Sequence, residues 1–376
     1  MEAREKLIAV LDYVKDCFIG KNEVIDLLGI ALVARENAFL LGPPGTAKSA
    51  IVRQLSNSVE AGKNFEYLLT RFTEPNEIFG PFDIRKLKEG DLVTNTEGML
   101  PEASMVFLDE IFNANSAILN SLLMALNEKI FRRGKETRKL PALIFVGASN
   151  LLPEDEALAA LLDRFIVRVK CDYVDTDLLG NVLHAGWKLE NQANDTIPTI
   201  GAEEIASLQK LSRQVDMDEV RPTYVDLVHS LRNTGIKVSD RRAVKVQNLI
   251  AASALMSGRD KALTSDLWVL KYIWDTEEQI EILAGLVDAV IEKEVDDQAH
   301  PRAMADKRPN AEELMKEVGL LKEKWHQDSL PFAEQNTIKD KLRHIQSRSN
   351  WIGNVQHKEH IQAEIELLWQ QMLQKN

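Results

Sequence analysis

Apolar residues recur at helical spacing from the start of the chain. Leu7, Val10, Leu11, Val14 and Phe18 share one face, which predicts a first helix burying a single stripe. The stretch Ile19, Gly20, Lys21, Asn22 breaks that pattern, and a second helical stripe runs through Val24, Leu27, Leu28 and Leu32. After Asn37 the run Phe39–Leu41 is continuously apolar, as a strand buried on both faces requires. Phe65–Phe72 reads as the next strand, whereas residues 84–100 carry Gly, Asp, Asn and Thr without periodicity and read as a hairpin or inserted surface element. Met105–Leu108 predicts a third strand, and Ile118, Leu122, Leu123 and Leu126 a helix. Residues 129–139 predict a β-hairpin turning at Gly134 and Lys135. Pro141–Asn150 and Phe165–Cys171 complete the strands.

Beyond Asp172 every stripe is helical. Leu178, Val182, Leu183 and Trp187 mark one helix, followed by Ile205, Leu208 and Leu211, by Tyr224, Leu227, Val228 and Leu231, and by a long helix from Ala243 to Leu255. Thr264 is placed to cap a helix holding Leu267, Leu270 and Trp274. The last hundred residues carry further stripes: Ile280 to Ile291, then Leu314 to Trp325, Ile338 to Ile345 and Ile361 to Met372. They suggest a helical hairpin or small bundle. The pattern divides the chain into an α/β part at 1–172, a helical part at 173–275 and a helical extension at 276–376.

Composition narrows the class of protein. At 376 residues with 45% hydrophobic and 28% charged residues, the chain is long enough for two or three packed domains. A formal net charge of −12 argues against a general binder of DNA or of acidic membranes, although residues 129–139 form a local basic element. That element is either a solvated hairpin tip or a surface touching a polymer or a neighbouring subunit. The cysteines are Cys17 and Cys171, with neither a disulfide framework nor a zinc spacing, which fits a reducing, cytoplasmic setting. The N-terminus reads as an amphipathic helix rather than a leader, and no apolar run approaches a membrane span. His357 and His360 could share one helical face as metal ligands or simply be solvated.

Candidate chemistry concentrates where the first strand ends. Gly42, Pro43, Pro44, Gly45, Thr46, Ala47, Lys48 and Ser49, with Ala50 following, match the phosphate-loop template G-x-x-x-x-G-K-[ST] except at Ala47. Such a loop turns its backbone N–H groups toward phosphate oxygens, the Lys48 ammonium neutralises the β and γ phosphates, and the Ser49 hydroxyl ligates Mg²⁺. Ala47 fits in place of glycine if its φ is negative. Met105–Leu108 ends in Asp109 and Glu110, and in a parallel sheet the carboxyl ends of strands meet the ligand. Asp109 is then expected to hold Mg²⁺ through its water shell, and Glu110 to polarise the attacking water. Asn150, at the end of another strand, could orient that water. Gly20 either stops a helix or meets the nucleotide base.

Taken together, the loop, Val106–Glu110, Val146–Asn150 and Leu161–Phe165 resemble the AAA+ ATPases in order and spacing. The Ala-Lys-Ser form of the loop resembles their MoxR branch. Thr70–Pro81, Leu100–Ala103, Val238–Arg242 and Ser257–Asp260 are similar to the RavA-type regulatory ATPases within it. The resemblance covers residues from about 5 to 275 and implies a phosphate-loop α/β core with a five-stranded parallel sheet, then an all-α lid. It also implies a sensor at Asn150, an arginine finger at Arg164 and a second sensor at Arg241, with Arg168 and Arg242 as the alternatives for the two arginines. Residues 84–100 and 129–140 correspond to an insert and a hairpin facing the pore of a ring. The RavA type carries a β-rich domain between comparable terminal helices, and the space near 296–312 is too short for one.

The expected activity is Mg²⁺-dependent ATP hydrolysis by a homohexamer, exchanging ATP for ADP, that remodels a protein client. The resemblance implies a partner carrying a von Willebrand factor A domain. A nucleotide-gated assembly switch with little turnover is one alternative, and a DNA-acting machine another. Glu110 speaks against the first and net charge against the second.

Overall fold

Strand β1 (Ala38–Leu41) is apolar throughout and buried throughout, because it lies inside a sheet with a parallel neighbour on either side. In this computed structural model residues 2–376 are described except 90–91, 134–135, 192–196, 292–299, 301–302, 304–310, 326–337, 340–341, 343–344, 347–354 and 375–376. The other core strands are β2 (Asn64–Leu68), β3 (Met105–Asp109), β4 (Ile144–Ser149) and β5 (Val167–Lys170). They form a five-stranded sheet in the order β2-β3-β4-β1-β5, all parallel. Every β1 register partner is buried except Lys170, so the pattern of Val, Ile, Phe and Ala in the strands follows from burial on both faces.

Helix α1 (Glu2–Cys17) buries Leu7, Val10, Leu11 and Val14 of the predicted stripe, and Phe18 lies half-buried just past its end. Helix α2 (Asn22–Ala34) is buried nearly all round and ends at Arg35 in the left-handed conformation. Helix α3 (Lys48–Asn57) leaves the phosphate loop, and α4 (Ser116–Glu128) starts under an Asn115 cap whose side chain accepts from the N–H groups of Ala117 and Ile118. The predicted strand from Phe65 stops at Leu68; Thr70–Thr73 turn instead, held by hydrogen bonds between those two threonines, and leave Phe72 90% exposed.

Residues 84–100 are an insert and not a hairpin: a short helix Ile84–Lys88, then an isolated bridge from Thr94 back to Phe82. The hairpin strands Ile130–Arg133 and Glu136–Lys139 pair antiparallel, and the Gly134–Lys135 turn lies outside the described residues. Two of its basic side chains are occupied. Arg133 donates to the Gly80 carbonyl and to Asn76 and lies over the Phe82 ring, while Arg138 donates to Thr96 and pairs with Glu136. Arg138 therefore ties the hairpin to the insert and Arg133 ties it to the segment just before the insert.

The helices after β5 are α5 (Leu179–Asn191), α6 (Ala202–Ser212), α7 (Arg221–Asn233) and α8 (Asp240–Met256). Two of the residues expected to face inward on α5 do not: Leu183 is 66% exposed and Trp187 72%. The segment expected as a helix under a Thr264 cap is a 3-10 stretch, Thr264–Tyr272, with Leu263 at the cap position. Helix α9 (Gln279–Ile291) packs on it.

The chain forms two compact units, Met1–Asp297 and Gln298–Asn376. The first includes α9, which its stripe alone groups with the C-terminal extension. In the second, the stripes on α10 (Ala311–Trp325) and α11 (Val355–Gln374) meet Ile338, Leu342 and Ile345 in one core. The His357 side chain and most of 296–312 lie outside the described residues, and His360 is exposed.

A chain cut after Ile291 is expected to keep the first unit folded, and one cut after Asp275 to lose its lid. The shorter cut removes the fully buried Leu283, Val287 and Ile291 and the Lys271–Asp288 pair at 2.8 Å. Three such side chains contribute roughly 6 kcal/mol of transfer free energy, comparable with the whole stability of many domains. Thermal melts of the two truncated chains check this, and equal melting would refute it.

Candidate functional site

The phosphate loop is set by close packing against β5. The Gly42 N–H donates to the Ser149 carbonyl at 3.2 Å, and a Cβ at Gly42 would lie 2.1 Å from the Cys171 carbonyl oxygen, so only glycine fits. Ala47 adopts φ 66°, left-handed and opposite to the negative φ expected from the sequence. The loop takes the course a glycine would take and holds an alanine there at a cost of about 1–2 kcal/mol. Glu110 is left-handed as well, at φ 49°. Arg35, Ala61 and Lys129 are left-handed elsewhere, and Ala47 and Glu110 are the pair that flanks this site.

Three strand ends bring the chemistry together. Lys48, on the first turn of α3 after β1, donates to the Gly42 carbonyl at 2.5 Å, the Pro43 carbonyl at 3.0 Å and Asn150 Oδ1 at 3.2 Å. Asn150, beyond β4, donates through Nδ2 to Glu110 Oε1 at 2.5 Å. Glu110 follows β3, and its N–H donates to Asp109 Oδ1 at 3.0 Å. A single carboxamide thereby joins the loop lysine to the carboxylate. Thr46 closes the loop by donating to the Pro43 carbonyl at 2.9 Å, and Pro44 and Gly45 are exposed at its tip. Ser49 and Ala50 occupy the first turn of α3, where N–H groups lack helical acceptors.

The donor set fits a nucleoside triphosphate with Mg²⁺. A lysine, a helix N-terminus, the Ser49 hydroxyl and the Asp109 carboxylate suit an ion bound through one or two protein oxygens and phosphates. Among the described residues no group of three or more His, Cys, Asp or Glu forms a cage for a metal by itself.

Gly20 has φ 76° and ends α1 beside Val174 and Leu178, at the same edge of the sheet as the loop. Two neighbours there escaped the motif reading. Lys21 is buried and donates to the Asp172 carbonyl, with burial holding its pKa below the ordinary lysine value. Tyr173 donates to the Pro44 carbonyl at 3.2 Å. Tyr173 follows from the carboxyl-end rule once β5 is known to border β1, whereas Lys21 is brought there by the packing of the first two helices.

The arginines lie at the other end of the sheet. Asn37, just before β1, donates to the Arg164 carbonyl at 2.9 Å and to the Leu126 carbonyl at 3.2 Å, and its own carbonyl accepts from the N–H groups of Ile166 and Val167. Arg164 therefore sits at the amino edge, separated from the loop by the length of β1, about 13 Å at 3.3 Å per residue. Arg241 is exposed, donates to Asn127 and stands near Arg164; burial first, and the Arg241 charge second, lower the Arg164 pKa. The expected second sensor accordingly does not lie over the loop of its own chain. Both alternative arginines are tied into buried ion pairs. Arg168 is fully buried against Asp275 and the Trp274 carbonyl, its pKa lowered to about 10 by burial and by Arg242. Arg242 is 5% exposed and bonded to Asp163 and Asp275.

Lys129 supports the same edge. It donates to Asn37 Oδ1 at 2.8 Å and lies over the Phe145 ring, and burial lowers its pKa to about 7. Unfolded, it holds its proton up to about 10.5, so above about pH 7 the unfolded chain binds more protons and stability rises with pH. Cys171, raised by burial to about 12 from 9.0, opposes this only above about pH 9. Urea melts at pH 7 and about 8.5 are expected to show a gain that Lys129→Met reduces; an equal gain in the variant would refute the assignment.

Comparison with known proteins gives the same reading. The profile of the MoxR domain in the MoxR-vWA-beta-propeller ternary systems matches residues 5–210, and that of the AAA lid domain matches 215–287. An uncharacterized protein of Methanocaldococcus jannaschii is 35% identical over 295 residues, 78% of this chain and 76% of that protein. The chaperone MoxR1 of Mycobacterium tuberculosis is 24% identical over 191 residues, 50% of this chain and 49% of that one. A solved structure of a protein from Cytophaga hutchinsonii assigned as an ATPase has the same fold, with a TM-score of 0.63 at 19% identity over 78% of this chain and 96% of that one. With a strained phosphate loop, a paired Asn150 and Glu110 and a helical lid behind them, this chain belongs to the MoxR family of AAA+ ATPases.

Proposed function

We propose that this protein hydrolyses ATP with Mg²⁺ as a homohexameric ring and uses the turnover to remodel a protein client. The observation that carries the reading is Asn150 holding Glu110 beside Lys48. A pure binding switch needs the lysine and the loop but no carboxylate held in place to activate water. Mg²⁺, held by Ser49 and through water by Asp109, would offset charge on the β and γ phosphates. Lys48 binds the same oxygens, the loop N–H groups orient them, and Glu110 takes the proton of the attacking water while Asn150 keeps its carboxylate aimed.

The ring is supported by the division of the site. Its cations Lys48 and Lys21 lie at one edge of the sheet and Arg164 and Arg241 at the other, so a head-to-tail neighbour is needed to complete it. Beside the nucleotide edge, α5 leaves Leu179, Leu183 and Trp187 exposed, an apolar stripe suited to burial by another copy. A partner with a von Willebrand factor A domain is supported by the ternary systems that the matched profile describes. Closer likeness to the RavA type, and a cytoplasmic setting, belong to the same proposal; no helix among the described residues is long and apolar enough to cross a membrane.

Phosphate release from ATP, measured with Mg²⁺ and again with excess chelator, alongside sedimentation with ATP and with ADP, tests the reading. Magnesium-dependent release by a six-subunit species is expected. A monomer that hydrolyses at full rate would overturn the ring.

A further inference from the structure

Arg164 is joined to the lid by an unbroken row of alternating charges. Its Nη1 donates to Asp163 Oδ2 at 2.9 Å, and the other oxygen of Asp163 accepts from Arg242 Nη2 at 2.7 Å. The Arg242 guanidinium also meets both oxygens of Asp275, at 2.8 and 3.0 Å. Asp275 Oδ1 accepts in turn from Arg168 Nη1 at 2.5 Å. Asp163, Arg164 and Arg168 come from the α/β core, whereas Arg242 stands on the first turn of α8 and Asp275 follows the 3-10 stretch, both in the lid.

Burial makes this row rigid. The Arg168 and Arg242 side chains are 1% and 5% exposed, so water cannot replace a lost partner, and each must keep its carboxylates. Arg164 differs. At 19% exposure its side chain keeps access to the surface, and its guanidinium bonds Asp163, an aspartate whose second oxygen accepts from Arg242 of the lid. Fork-to-carboxylate geometry transmits direction as well as charge, because both groups are planar.

We propose that Asp163 and Arg242 are positioning residues for Arg164, through which the lid of a subunit sets the aim of the arginine that it presents to its neighbour. This rests on the reading of Arg164 as the residue completing the adjacent ATP site. A shift of the lid that moves Arg242 must move Asp163, and with it the Arg164 guanidinium. The state of one subunit's lid is thereby felt in the hydrolysis rate of the next. The buried arginine of the adjacent pair Arg241 and Arg242 works through another side chain, and the exposed one stands at the surface beside Arg164.

The test is a double-mutant cycle in the full chain. Asp163→Asn keeps the shape but loses the charge that grips both arginines. It is expected to lower kcat for ATP at least about tenfold, as a displaced catalytic group does, with KM, nucleotide affinity and sedimentation close to wild type at a temperature where the variant is fully folded. Arg242→Lys, charged but without the fork, is expected to act in the same direction. In the Arg164→Ala background Asp163→Asn is expected to cost nothing further, because the group that it aims is gone. Adding Lys48→Ala subunits, whose own row is intact, is expected to restore part of the Asp163→Asn rate. Full activity of Asp163→Asn beside a crippled Arg164→Ala would overturn the positioning role and leave the finger standing. Independent, multiplying defects would do the same, as would a rate loss that merely follows lost stability or assembly. Full activity of Arg164→Ala would remove both.

Discussion

Replacing Arg164 with alanine is expected to leave ATP binding intact and to slow hydrolysis about a thousandfold, the usual worth of an arginine that meets the transferring phosphoryl group. The residue lies at the amino edge of the sheet, held there by Asn37, and cannot reach the loop at the carboxyl edge of its own β1. The loss should therefore be repairable from outside. Lys48→Ala subunits bind no ATP themselves but keep their own Arg164. Mixed with an equal amount of Arg164→Ala subunits, they create junctions in which an intact loop faces an intact arginine, about a quarter of all junctions if assembly is random. Recovery of activity in proportion to those junctions is the expected result, read as phosphate release against mixing ratio. Rings shown to contain both subunits and yet inactive would count against action across the interface.

The second large effect separates binding from chemistry. Glu110→Gln is expected to bind ATP as tightly as the wild type and to hydrolyse it at least about a hundredfold more slowly, since the amide accepts no proton from water. It remains able to bond Asn150, so the geometry of the site survives. Lys48→Ala should fail earlier. Its ammonium joins the loop carbonyls to Asn150, and removing it takes away the cation that meets the phosphates. Equilibrium titration with a fluorescent ATP analogue, followed by single-turnover hydrolysis, distinguishes the two. Equal loss of affinity in both variants would refute the assignment of Glu110 to the chemical step. A glutamine variant with ATP held in place is also the form in which to look for a bound client or a partner with a von Willebrand factor A domain.

The linear sequence by itself determined the parts that depend on local spacing. Gly42 to Ser49 announces a phosphate loop, because backbone donors, a lysine and a hydroxyl must follow in that order within one turn of a helix. Burial on both faces leaves a mark just as local, so β1, β3 and β4 were legible in their apolar runs, and Asp109, Glu110 and Asn150 could be placed from the strand ends that carry them, whereas the half-exposed edge strand β2 ends at Leu68 and not at the expected Phe72. Backbone sign at Ala47 was not legible, since the loop imposes φ 66° on a residue that prefers otherwise. Nor was the outward turn of Leu183 and Trp187, because a helical stripe shows that a face is apolar without naming what covers it. The settings of the arginines were decided only by tertiary structure. Arg164, Arg168, Arg241 and Arg242 carry the same charge in sequence, yet folding buries Arg168 and Arg242 against carboxylates from distant segments and leaves Arg241 exposed beside Arg164. Long-range ion pairs depend on which strands and helices become neighbours, and Asp163 and Asp275, 112 positions apart, meet the same guanidinium only because the lid closes on the amino edge of the sheet.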